Sequence, residues 1–123
     1  MAIVNKIRTL VPDQRGPGDT DPAPITATGV YQNIHTVVPV NLYTWGWTNT
    51  PMPNFSETNN IAAHMAATNA GGNGYPYGSI INQLYPVDGG SIDWAYGELG
   101  MAAFSTELSG QDFLPLYSCI DNP

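Results

Sequence analysis

Eleven prolines and thirteen glycines are spread along 123 residues, and they cut the chain into short periodic runs separated by long irregular stretches. Proline ends helices and is confined to sheet edges, and glycine marks turns. The chain therefore has room for only a few short elements. Its length allows one domain. Hydrophobic residues make up 42% of it, enough for a core, yet the elements that would frame that core are sparse.

Residues 2 to 10 place Ala2, Ile3, Ile7 and Leu10 at helical spacing, and Pro12 stops the run. This is either a terminal helix or the end of a longer one. Residues 12 to 29 hold four Pro and three Gly and show no hydrophobic period. A loop of that length is usually functional or packed on a larger body. Val30 to Ile34 reads as a strand, and after Pro39 a second short strand is expected near Val40 to Tyr43. Residues 44 to 58 read as an aromatic-rich loop whose two tryptophans, Trp45 and Trp47, need something to be buried against.

The clearest helix is expected over 59 to 69, with Asn59 or Asn60 as its cap. Ile61, Met65 and Thr68 would lie on one face, and Gly71, Gly72 and Gly74 would end it. Residues 75 to 87 read as a turn, a short helical or turn segment, then extended chain. A helix capped by Ser91 or Asp93 is expected next, with Trp94 as a large buried ring. MAAFST, 101 to 106, is an apolar strand ending at Glu107, and the tail from Ser109 is loop-like. The sequence contains no internal repeat.

Charge excludes several partners. Lys and Arg number 3 against 10 acids, a net charge of -7. Lys6, Arg8 and Arg15 are the only basic residues, and nine acids lie from Gly16 onward. Nucleic acid needs clustered Lys and Arg, and a membrane-surface segment needs a polybasic run, so neither partner is expected. No run of 18 or more apolar residues is present, and the N-terminus lacks the apolar stretch and cleavage site of a signal peptide. An anionic substrate would have to meet a metal, a helix N-terminus or a segment outside this chain. Cys119 is the single cysteine, which excludes an internal disulfide and a multi-cysteine metal cluster.

Few residues offer chemistry. His35, at the end of the first strand, could ligate zinc or serve as an ordinary structural histidine. His64 has no metal-spaced neighbour and reads as structural. Glu107, at the end of a buried strand, is either a solvent-facing acid or a carboxylate held for proton transfer. Tyr85, on a loop before Gly89 and Gly90, can donate its hydroxyl, though most loop tyrosines merely pack. No nucleophile elbow, P-loop or dinucleotide fingerprint occurs.

Tyr77 to Leu108, YGSIINQLYPVDGGSIDWAYGELGMAAFSTEL, resembles the C-terminal half of zinc metallocarboxypeptidases of the pancreatic A and B type. Its Y-G-S-I-I, L-Y, G-G-S-I-D-W-x-Y and F-x-x-E-L segments carry the resemblance. IHTVVPVNLYTWGW, 34 to 47, is similar to the strand and segment around the family's third zinc-ligand histidine, and PDQRGPGDTDPAP, 12 to 24, is similar to the loop before it. The resemblance spans Val11 to Leu114. It implies a partial three-layer α/β/α fold with a mixed sheet, residues 1–123 being the C-terminal portion of a peptidase catalytic domain without its N-terminal half.

By the same resemblance His35 is a metal ligand, with the other two zinc ligands expected in the N-terminal half. Glu107 is the general acid/base that activates the zinc-bound water and protonates the leaving amine. Tyr85 closes over the substrate's last residue. Ile92 lies at the base of that residue's pocket, with Leu42, Ile80 and Val87 around it, which implies apolar or aromatic C-terminal residues of peptides or proteins as substrate. The sequence has no His-x-x-Glu pair, and no arginine lies beyond Arg15. The isolated chain is therefore expected to be inactive, and the alternative is a non-catalytic binding module on the same scaffold. Thr36-Val37 stands where the family has Ser-Tyr, and Thr44 where it has Pro, both places of unusual backbone in the family. A secreted or periplasmic setting is expected.

Overall fold

The computed structural model describes residues 2–16, 20–69 and 74–110. Four strands form one mixed sheet: β1 (Val30–Val37), β2 (Val40–Tyr43), β3 (Tyr77–Ser79) and β4 (Ala102–Ser109), in the spatial order β1-β4-β2-β3. β4 runs parallel to β1 and antiparallel to β2, and β2 runs parallel to β3. The helices are α1 (Ala2–Leu10), α2 (Phe55–Thr68), α3 (Ile80–Gln83) and α4 (Ser91–Leu99). This is the mixed-sheet α/β architecture expected from the sequence.

Strand alternation assigns the two faces of the sheet. One carries Asn41, Tyr43, Phe104 and Thr106. α2 packs there: the Tyr43 hydroxyl donates to Asn59 Oδ1 at 3.1 Å, and the Tyr43 ring meets Phe55 edge-on at 6.4 Å. Buried polar side chains on this face are linked. Thr106 Oγ1 accepts from Gln32 and donates to Asn41 Oδ1, which also accepts from Asn69. β2 is buried along its whole length, and Phe104 anchors the core beside it. α2 does not reach over β1, so Val30 and Ile34 on the same face are exposed.

The irregular segment from 12 to 29 is held by Arg15. Its guanidinium donates to the Asp21 and Gly97 carbonyls and lies 4.8 Å over the Tyr96 ring. Arg8 makes an ion pair with Glu98. α4 ends at Gly100, whose φ of +71° and N–H bond to the Tyr96 carbonyl form a left-handed cap. A Cβ there would meet Arg15 Cγ at 2.9 Å.

Several sequence expectations are corrected. β1 continues through His35 to Val37, and β4 continues through Glu107 to Ser109, because each supplies the other's ladder partners. α2 begins at Phe55, a turn inside the expected loop, so Asn59 and Asn60 are interior and Asn54 is the N-cap residue. Its buried residues are Thr58, Ala62 and Ala66, not Ile61, which is 44% exposed. Small residues let the helix lie close to the sheet, and closeness outweighs the hydrophobicity of the isoleucine. Gly90, not Ser91 or Asp93, caps α4. Trp94 is half-buried. Trp45 is half-buried against Tyr96 at 5.3 Å and Trp47 at 6.0 Å, while Trp47 is exposed. The expected ends at Gly71 and Gly72 and the tail from 111 lie outside the described residues.

The face of α2 can be tested directly. Ala62 is 0% exposed. Ala62→Asp is expected to lower stability to urea unfolding by at least about 3 kcal/mol, and Ile61→Asp by less than about 1 kcal/mol.

Candidate functional site

The second face of the sheet carries His35 on β1, Glu107 and Ser105 on β4, and Leu42 on β2. The parallel register sets His35 opposite Glu107 and Asn33 opposite Ser105, on strands about 4.8 Å apart. Residues opposite one another in register point to the same face, so imidazole and carboxylate emerge side by side. Val40 flanks Glu107 on the other side, which makes the carboxylate central rather than peripheral.

Both side chains open on a cavity of about 240 Å³. Its apolar wall is Leu42, Ile80, Leu84, Val87 and Ile92. Ile92 is 2% exposed. α3 presents Ile80 and α4 presents Ile92, while the loop between them brings Leu84 and Val87. Asn33, Ser91 and Ser105 add a polar wall, with Asn33 Nδ2 donating to Ser91 Oγ at 3.3 Å. Asn33 and Ser105 were not among the sequence candidates, though each lies two residues before His35 or Glu107 and so on the same strand face.

Of the four candidates, the fold brings three together: His35, Glu107 and Ile92. Tyr85 is not among the lining side chains, and it is 64% exposed. Its neighbours Leu84 and Val87 turn inward instead. The peptide bonds Thr36–Val37 and Thr44–Trp45, at the two places where the sequence departs from the resembled pattern, are both cis.

A family model described as zinc carboxypeptidase matches residues 24–122. The chain belongs to the zinc carboxypeptidase family. Among curated relatives, carboxypeptidase A1 of Bos taurus is 38% identical over 80 residues, covering 63% of this chain and 19% of the bovine protein. Zinc carboxypeptidase A 1 of Anopheles gambiae is 34% identical over 71 residues, 56% of this chain and 16% of that protein. Carboxypeptidase B of Astacus astacus is 34% identical over 82 residues, 64% of this chain and 27% of that protein. The matched stretch thus spans about a fifth of the bovine relative's length.

The family implies Zn2+. Catalytic zinc sites take three protein ligands. Among the described residues no group of three or more His, Cys, Asp or Glu could hold a metal ion. The exposed His35 imidazole is a suitable single donor, but the described residues do not amount to a zinc site. No described helix is long and apolar enough to cross a membrane.

Asp93, one residue past Ile92, is an acid whose ionisation the fold perturbs. Burial pushes its carboxyl above the ordinary carboxylate range, and hydrogen bonds from Thr44 and Gly46 partly oppose that. A carboxyl whose pKa is higher folded than unfolded binds its proton more tightly in the native state. Its contribution to stability is complete below the unfolded value and is lost as pH rises through the folded one. Urea unfolding from pH 3.5 upward should therefore show a downward component in native stability that the Asp93→Asn variant lacks, and parallel pH profiles for the two proteins would contradict it.

Proposed function

We propose that this chain is the part of a zinc carboxypeptidase that carries the substrate's side-chain pocket and the proton-transferring carboxylate, acting on peptides with an apolar or aromatic C-terminal residue. The observation behind this reading is the His35–Glu107 register pair opening on the same cavity as Ile92.

The roles follow from the chemistry of each group. His35 donates a neutral ring nitrogen as one ligand, and two more are expected from the N-terminal half of the family's catalytic domain. Zinc, when held there, polarises a carbonyl and acidifies water. Glu107 takes a proton from the attacking water onto its carboxylate and returns it to the leaving amine, a role its register place opposite His35 supports. Ile92, with Leu42, Ile80 and Val87, receives the last side chain of the peptide. These four side chains carry no charge, so a Lys or Arg side chain seated among them would be desolvated with no partner on that wall. Tyr85, exposed on its loop, covers that residue when the loop turns inward. A secreted or periplasmic setting accords with the scarcity of lysine beside abundant Tyr, Trp and Asn.

With His35 as the one zinc ligand proposed among the described residues, the chain alone is expected not to hydrolyse a blocked dipeptide ending in Phe, even with added Zn2+. Chelator-sensitive turnover by the isolated chain would overturn that. In an enzyme completed by the remaining ligands, Glu107→Gln should cost about 10²- to 10⁴-fold in kcat, the range of lost acid–base catalysis, with zinc content unchanged. A near-normal rate would remove Glu107 from the chemistry and favour a binding module. In the same completed enzyme, Ile92→Asp should move preference from C-terminal Phe toward C-terminal Lys or Arg, read as the ratio of kcat/KM values. An unchanged ratio would remove Ile92 from the pocket.

A further inference from the structure

The Asp93 carboxyl takes no part in the chemistry above, yet it stands where two walls of the cavity meet. α4 supplies Ile92 to one wall, and the 84–90 loop supplies Leu84, Val87 and Gly90 to another. Asp93 is 7% exposed. Its Oδ1 accepts a hydrogen bond from the Thr44 hydroxyl, and its Oδ2 accepts one from the Gly46 N–H at 2.9 Å. The Gly46 carbonyl in turn accepts the Val87 N–H at 2.9 Å. The approach is close enough that a Cβ on Gly46 would lie 3.0 Å from the Val87 carbonyl oxygen and 3.2 Å from Asp93 Oδ2.

Between Tyr85 and Gly89 the chain has no helix or strand of its own. Among the described residues, the Val87–Gly46 bond is its backbone tie to the rest of the fold. A loop with one such tie opens easily unless the partner itself is fixed. Gly46 lies just past β2, in a turn, and Asp93 is what fixes it. An apolar residue at 93 would fill the space but leave the buried Gly46 N–H without an acceptor.

We infer that Asp93 is a positioning residue for the pocket: through Gly46 it sets Val87, and with it the loop that carries Tyr85, against Ile92. The chain of contacts is independent of activity, while its bearing on the pocket rests on the function proposed above. Because Ile92 and Asp93 are consecutive on α4, one turn of helix both lines the cavity and fixes the distance to the opposite wall.

Amide hydrogen exchange of the whole 123-residue chain, read residue by residue by NMR, tests this. Asp93→Asn should speed exchange at Gly46 and Val87 by about tenfold or more, the effect of weakening a hydrogen bond to a charged group, with Phe104 and Ala66 unchanged. Uniform acceleration across all four would reduce Asp93 to a general contributor to stability, and an unchanged Val87 would overturn the inference outright. Should Asp93→Asn not fold, Gly46→Ala parts the same groups from the other side and should loosen the amides of residue 46 and Val87 with Phe104 and Ala66 unchanged; Val87 still protected in that variant would also overturn it. In an enzyme completed with its zinc ligands, Asp93→Asn should raise KM for a C-terminal Phe substrate by more than it lowers kcat. Loosened Val87 with unchanged KM would overturn the role in the pocket, whereas a completed enzyme inactive before any substitution would overturn the proposed function instead.

Discussion

The parallel ladder between β1 and β4 carries the rest of the structure. Its two strands, 30–37 and 102–109, are far apart in the chain, and β2, α2, β3, α3 and α4 lie in the crossover between them. β2 returns antiparallel to the far side of β4, so β4 becomes an interior strand and Glu107 an interior residue. Side chains alternate with a period of two, so a slip of one residue in this ladder would send His35 to the α2 face while Glu107 stayed on the cavity face. Burial on the α2 face pins the register. Phe104 and Thr106 must point at α2, which leaves Ser105 and Glu107 the other side.

That dependence explains which parts of the fold could be read from sequence. α1 and β2 were legible because each is bounded by its own punctuation: Pro12 after one, Pro39 before the other. The length of β1 was not. His35, Thr36 and Val37 are ordinary strand residues, but nothing local says that they continue a strand; Glu107, Leu108 and Ser109 do, by pairing with them. The buried face of α2 was missed for a related reason. Hydrophobic period picks out Ile61 and Met65, yet the sheet beneath is lined by Tyr43 and Asn41, and a helix there must present alanine to come close. Ile61 is displaced toward a groove beside Pro22, Pro24 and Tyr96. The cap was misassigned because Asp93 answers a demand from Thr44 and Gly46, distant in sequence, rather than from the helix end two residues away.

The site was legible to an unequal degree. Local pattern left His35 and Glu107 undecided between structural and chemical roles, and the family motifs decided what to expect of them. Asn33 and Ser105 were available from the same two strands by counting back two residues from each candidate. The resemblance gave Tyr85 a role, but local pattern did not say which way its side chain faces. Its loop lacks a period, and the inward positions go to Leu84 and Val87, whose apolar side chains gain more from burial than a phenol without a hydrogen-bond partner would.

The distribution of charge gives the cavity a one-sided character. A peptide C-terminus is an anion, and among the described residues the charged side chain lining the cavity is Glu107. Lys6, on α1, is not among the lining residues, and the two arginines are engaged elsewhere. Arg8 pairs with Glu98, and Arg15 is enclosed by the Asp21 and Gly97 carbonyls and the Tyr96 ring. Neither can turn toward the cavity without giving up contacts that hold the 12–29 segment to α4. The described residues thus offer an apolar recess and a proton acceptor but no positive charge beside them. A carboxylate-bearing ligand approaching this surface alone would face like charge at Glu107 and no counter-ion, so it would be held by its side chain only. On the proposed function, the positive charge that holds the substrate's terminus comes from outside the described residues. Positive charge there would do two things at once: bind the substrate's terminus and offset the repulsion that Glu107 otherwise exerts on it.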